Sequence, residues 1–162
     1  MICLAEAKDA HLVHAVTMAA FEEYRHIDIP SSALSETVHS IQESLSHNKE
    51  QACLYIQDET PIGSAKFSLN ENSLYFSRLS VSPQERGKGI AKSMLSWLET
   101  YARQHGKREV LCQVRMSVPQ NIKLYESVGY VICGEEVVIK PNGSEVNTAF
   151  MKKIFEGRLK TI

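Results

Sequence analysis

The stretch Leu79-Ser80-Val81-Ser82-Pro83-Gln84-Glu85-Arg86-Gly87-Lys88-Gly89-Ile90-Ala91 decides the fold. It joins a strand-like run to the most regular helical pattern of the chain, in which Ile90, Met94, Leu95, Leu98, Tyr101 and Ala102 share one stripe ahead of Gly106. Glycines at 87 and 89 let the backbone turn tightly and bring bare N–H groups close to a ligand. The helix behind them adds unpaired amides and a partial positive charge. Such a loop suits a phosphate or pyrophosphate; the alternative is a glycine turn that only starts a helix. A Walker loop needs Ser or Thr directly after Gly-Lys, where this chain has Gly89, and a dinucleotide fingerprint needs a small residue where it has Lys92. Both ATP/GTP and NAD/FAD are therefore disfavoured.

Working outward, a strand at 2–5 precedes a helix at about 9–24, and Pro30 falls in a break at 26–32. Leu34, Val38, Ile41 and Leu45 recur at helical spacing and predict a second helix ending near His47. Three β-rich runs follow at 52–56, 62–69 and 73–82, with turn residues between them. In the third run the apolar phase slips around Ser77-Arg78, which predicts a bulge. Beyond the long helix at 87–105 come a strand at 110–114, a helix at 119–128 stopped by Gly129, and two strands at 130–139 and 147–155. This order predicts an α/β (α+β) fold, a mixed and mostly antiparallel sheet of about seven strands flanked by about four helices. No repeat or linker divides the sequence, so residues 1–162 read as a single domain.

Eighteen Lys and Arg against nineteen Asp and Glu leave a net charge of -1, and no global field draws the chain to nucleic acid or to an anionic membrane. No apolar run approaches the roughly 20 residues that span a bilayer. With no basic region and long apolar stretch at the N-terminus, the expected location is the cytoplasm. Cys3, Cys53, Cys112 and Cys133 stand singly in strand-like stretches and are expected to be buried, reduced thiols. His11 and His14 have no nearby third ligand, so no metal is expected.

Arg86-Gly87-Lys88-Gly89-Ile90-Ala91, with its lead-in at 79–83, resembles the acyl-CoA signature of the GCN5-related N-acetyltransferase (GNAT) superfamily. A second stretch, Asn121-Ile122-Lys123-Leu124-Tyr125-Glu126-Ser127-Val128-Gly129-Tyr130, resembles that family's helix-to-strand signature. The resemblance implies a GNAT-like fold and an enzyme that transfers an acetyl group from acetyl-CoA to a primary amine by direct attack. The amine belongs to a small molecule or peptide, and a homodimer is implied. A non-catalytic acyl-CoA sensor or interaction module is the alternative, because the strand-four glutamate of many members is replaced by the run Tyr75-Phe76-Ser77-Arg78.

By the same resemblance, the amides of Arg86, Gly87, Lys88, Gly89, Ile90 and Ala91 hold the CoA pyrophosphate. Lys88 and Lys92 add attraction or are simply solvated. The pantetheine arm bonds the backbone of Leu79, Ser80 and Val81, where one amide polarises the thioester carbonyl. Tyr125 matches the general acid that protonates the leaving thiolate, or else packs in the core. Asn121, one turn earlier, contacts CoA or caps the helix entry; the family's more usual asparagine falls at Val118. Arg115 pairs with an acceptor carboxylate or is surface charge. Phe21, Tyr24, His26 and Pro30 shape the acceptor pocket, and Glu22, Glu23 and Glu36 on the early helices are the candidate bases.

Overall fold

The computed structural model describes residues 1–25 and 31–155. Seven strands form one mixed sheet: β1 (Ile2–Leu4), β2 (Gln51–Gln57), β3 (Thr60–Leu69), β4 (Ser73–Val81), β5 (Glu109–Arg115), β6 (Val131–Ile139) and β7 (Glu145–Ile154). Their order across it is β1-β2-β3-β4-β5-β7-β6. The four helices are α1 (Ala10–Phe21), α2 (Val38–Ser46), α3 (Ile90–Gln104) and α4 (Pro119–Ser127). Packing resolves into two compact units, residues 1–68 with 76–97 and residues 69–75 with 98–162; β4 and α3 each run through both.

In the first unit β1 pairs antiparallel with β2, and β2 with β3. The core beside them gathers Ala10, Val13, Ile41, Ala52 and Leu54, with Leu12, Leu45 and Ile56 packed around it. Each fully buried Val, Leu or Ile contributes about 1.5–3 kcal/mol. On α1 the buried residues Ala10, Val13, Val16, Thr17 and Ala20 keep helical spacing, and Thr17 satisfies its hydroxyl by donating to the Val13 carbonyl at 2.8 Å.

The second helix starts later than the spacing from Leu34 predicts. Residues Ser32–Ser35 form a separate 3-10 turn, Glu36 is extended (φ -73, ψ 149), and Thr37 caps α2 in a reciprocal capping box with Ser40 at 3.0 Å each way. This box satisfies an otherwise free amide at Ser40 and favours a helix start at Val38 over one continued from Leu34.

The second unit holds β5, which alternates strictly with Val110, Cys112 and Val114 buried. It runs parallel to the start of β4 from Ser73↔Glu109 to Tyr75↔Leu111 and antiparallel to β7. The edge strand β6 pairs only with β7 in the sheet order and leaves Val131, Ile132, Val137 and Ile139 exposed.

The glycines expected to stop α3 and α4 do so, and both lie in the left-handed region: Gly106 (φ 73) after α3 and Gly129 (φ 102) after α4. Each closes a Schellman motif. Lys107 N–H donates to the Ala102 carbonyl at 2.9 Å and Gly106 N–H to Arg103 at 3.1 Å. After α4, Tyr130 donates to Tyr125 at 3.0 Å and Gly129 to Glu126 at 3.1 Å.

The expectation of four buried thiols is corrected. Cys53 and Cys112 are buried, but Cys3 is half-buried and Cys133, on the edge strand, is exposed; all four are free. Among the described residues no helix is long and apolar enough to cross a membrane.

Candidate functional site

The glycine loop is built by a chain of local choices. Ser82 N–H donates to the Ile62 carbonyl at 2.8 Å and so ties the end of β4 to β3. Pro83 opens a 3-10 turn over Pro83–Glu85, and the chain then extends at Arg86 (φ -70, ψ 155). Gly87 (φ 82) and Gly89 (φ 81) both occupy the left-handed region. A Cβ at either would meet nothing within 4 Å, so glycine is required there by conformation and leaves the backbone open to an approaching group.

Helix α3 starts at Ile90, and its first internal bond runs from Ser93 N–H to the Gly89 carbonyl at 3.0 Å. The amides of Ile90, Ala91 and Lys92 thus precede the ladder and have no acceptor within the helix. Ile90 itself is buried and fixes the first turn from below, while Lys92 is exposed. Gly63 of β3 makes room for this turn: a Cβ there would lie 2.8 Å from Met94 Sδ and 3.4 Å from Ile90 Cγ2.

The loop's long basic side chains are engaged with the protein. Arg86 donates through Nη1 to the Glu23 carboxylate and through Nη2 to the Ala20 carbonyl at 3.0 Å, at the C-terminal turn of α1. Lys88 pairs with Glu85 at 3.0 Å. An anion seated on this loop would therefore be held first by backbone amides and helix dipole, with the side chains as an outer ring.

On β4 the expected irregularity is present: Arg78 adopts φ 57 inside the strand. Ser80 is buried, not solvent-facing, and its hydroxyl donates to the Arg78 carbonyl at 2.8 Å across this kink. Leu79 and Val81 are half-buried on either side of it.

Phe21 and Tyr24 lie together at the end of α1 with ring centroids 5.7 Å apart. Glu22 and Glu23 pair with Arg25 and Arg86. His26 and Pro30 lie outside the described residues. Glu36 departs from its expected place on an early helix: it stands in the extended link before α2, with its side chain only 15% exposed. Its Oε2 receives Lys66 Nζ at 2.8 Å and Arg78 Nε at 3.0 Å. Arg78 Nη2 also donates to Ser32 Oγ at 3.2 Å, and His14 Nε2 lies 3.1 Å from the Glu36 carbonyl. Sequence reasoning missed Lys66. Its signal was a lone cation in the apolar run of β3, and a buried cation requires a partner.

Tyr125, Asn121 and Arg115 belong to the second unit. Tyr125 is buried on α4 and its ring packs on Tyr130 at 5.8 Å, the apolar contact that accompanies the Schellman turn at Gly129. The spacing from Tyr125 to Gly129-Tyr130 thus has a structural role of its own. Burial first, then Cys112, Glu99 and Tyr125, pushes the neighbouring Tyr130 hydroxyl well above the usual phenol range. Asn121 is half-buried in the first turn of α4, which begins at Pro119 after Val118 in the N-cap position, with no side-chain hydrogen bond there. Arg115 is the half-buried last residue of β5, opposite Thr148, and not a residue beyond the strand.

Comparison with known proteins gives this frame a family. Residues 13–130 match the model of the acetyltransferase (GNAT) family. N-acetyltransferase 8 of Mus musculus is 36% identical over 70 residues, which are 43% of this chain and 31% of that protein; the chain thus aligns to about a third of this curated relative. Two solved structures share the fold. The ribosomal-protein-alanine N-acetyltransferase of Brucella melitensis has TM-score 0.73 and 20% identity over 96% of this chain and 99% of that one. YncA, a putative acetyltransferase of Salmonella typhimurium solved with its cofactor acetyl-CoA, has TM-score 0.77 and 16% identity over 98% and 95%. With a family model covering most of its length and a sheet of the same architecture, the chain belongs to the GNAT family of acetyltransferases.

Proposed function

We propose that residues 1–162 act as one acyl-CoA-dependent N-acyltransferase domain, transferring an acetyl group from acetyl-CoA to a primary amine of a small molecule or peptide by direct attack. The observation that carries this reading is the loop in which Gly87 and Gly89 turn at positive φ directly into the first amides of α3. The open backbone where each Cβ would stand, next to the free first amides of α3, supports this loop as the pyrophosphate site.

In this reading the amides from Arg86 to Ala91 bind the pyrophosphate, aided by Lys88 and Lys92. The backbone of Leu79, Ser80 and Val81 takes the pantetheine, with one amide donating to the thioester oxygen. Tyr125 supplies the proton that the departing sulfur needs. Asn121 adds a cofactor contact, while Phe21, Tyr24, Glu36 and Arg115 serve the acceptor. Free cysteines suit a reducing cytoplasm, and the exposed apolar residues of β6 suit a homodimer.

Thiol release from acetyl-CoA, followed with a panel of amines, amino acids and peptides, tests the reading. Amine-dependent release is expected, and Tyr125→Phe should slow it at least tenfold near neutral pH. Folded protein that binds CoA yet releases no thiol with any amine would favour the acyl-CoA sensor, the reading suggested by the absence of a glutamate in the run at 75–78.

A further inference from the structure

The link before α2 holds a carboxylate with one oxygen in use and the other idle. Glu36 Oε2 is bound by two cations, Lys66 Nζ and Arg78 Nε, whereas Oε1 is buried and no donor reaches it among the described residues. A buried carboxylate oxygen without a donor is costly, and native structures keep such groups where a ligand or ordered water completes them. The arrangement is also anchored from every side. Lys66 is 7% exposed on β3 and leans on Glu50 at 3.8 Å, Arg78 reaches Ser32, and His14 meets the Glu36 carbonyl. Arg78 stands at positive φ inside the strand, one residue ahead of Leu79.

We propose that Glu36 Oε1 is the receptor for the attacking amine of the acyl transfer, and that Lys66 and Arg78 are positioning residues that fix it. The inference rests on the acyltransferase reading and names the part of it that recognises the acceptor. An N–H donor is the chemistry that completes Oε1, and a primary amine brings two. With one N–H held by Oε1, the nitrogen lone pair is oriented for attack. The C–N bond forms as the C–S bond breaks; nitrogen gives up one proton to water, and the departing sulfur takes one up. Products are the N-acetyl amide and free CoA thiol.

The test compares wild type with Glu36→Gln, using a panel of simple primary amines headed by n-propylamine, together with CoA affinity by calorimetry and thermal stability. In the Gln variant the amide oxygen faces the two cations and an NH2 group replaces Oε1, so a donor meets a donor. The expected result is a rise of at least tenfold in KM for the amine, a smaller change in kcat, and unchanged CoA affinity. Should Glu36→Gln fail to fold because the buried Lys66 then keeps only the Glu50 carboxylate at 3.8 Å, the pair Glu36→Gln with Lys66→Met removes that charge, and the same loss of amine affinity is expected. Wild-type kcat/KM for the amine in a folded Glu36 variant overturns the proposal while sparing the acyltransferase reading. Equal losses of amine and CoA affinity overturn it in favour of a purely structural triad. A wild type that acetylates no amine overturns both.

Discussion

Replacing Gly63 by Ala should loosen the seat of the candidate phosphate loop. Gly63 pairs with Tyr55 across β2 and β3, and a Cβ on it would lie 2.8 Å from Met94 Sδ, 3.2 Å from Tyr55 Cβ and 3.4 Å from Ile90 Cγ2. The thioether could swing away from a surface position, but Met94 is 0% exposed, and the Tyr55 Cβ is tied to its backbone. Inserting a methyl group into a packed site costs about 1–3 kcal/mol, and removing glycine freedom from the unfolded chain returns about 0.4–1 kcal/mol. The net loss is about 1–2 kcal/mol, a fall in Tm of roughly 2–8 °C for a chain of this size. Urea unfolding of wild type, Gly63→Ala, Met94→Ala and the double variant measures it. Met94→Ala alone should cost about 2–5 kcal/mol, and the double variant should cost less than the sum by about 0.5 kcal/mol or more. A Gly63→Ala protein within 0.5 kcal/mol of wild type, or a strictly additive pair, would refute the packing argument.

Burial pushes the Cys53 and Cys112 thiols up to about 12, so neither carries thiolate at neutral pH. Iodoacetamide on the native protein should modify Cys133 first and Cys3 more slowly, with Cys53 and Cys112 reacting only on unfolding; early modification of Cys112 by mass spectrometry would contradict this. Burial raises the Glu99 carboxyl, but hydrogen bonds from Lys153 at 2.8 Å and Arg103 at 3.0 Å outweigh it and hold the group below its ordinary value of 4.5. Since the folded value is the lower one, the contribution is complete above about pH 4.5 and is lost as the pH falls through the folded pKa. Glu99→Gln should therefore cost about 1 kcal/mol at pH 7 and flatten the acid limb of the stability profile; an unchanged limb would remove the pair from the account.

What the sequence makes legible is what local chemistry decides. Gly87, Gly89, Gly106 and Gly129 announce their turns because only glycine tolerates those backbone angles cheaply, and α3 announces itself through its apolar stripe. The kink at Ser77-Arg78 shows as a slip in alternation. The setting of Glu36 is not legible, because its partners, Lys66 and Arg78, come from strands 30 and 42 residues away, and no local pattern reports them. Cys133 escaped for the same reason: its exposure depends on β6 being the sheet edge, a matter of strand order rather than of its apolar neighbours. The helix-to-strand signature around Tyr125 was legible as a motif, yet its spacing also answers to helix termination, so it says less about chemistry than about the turn at Gly129.

If the loop of Gly87 and Gly89 binds CoA, the cofactor must raise the melting temperature of the protein. At 100 times the dissociation constant, binding stabilises by about 2.7 kcal/mol, a rise in Tm of roughly 5–11 °C. Gly89→Ala, which forces a side chain onto φ 81 and into the ligand's path, should abolish most of that rise. A folded wild type whose Tm does not move with millimolar CoA, or a Gly89→Ala protein that shifts as far as wild type, would mean that this loop does not bind CoA.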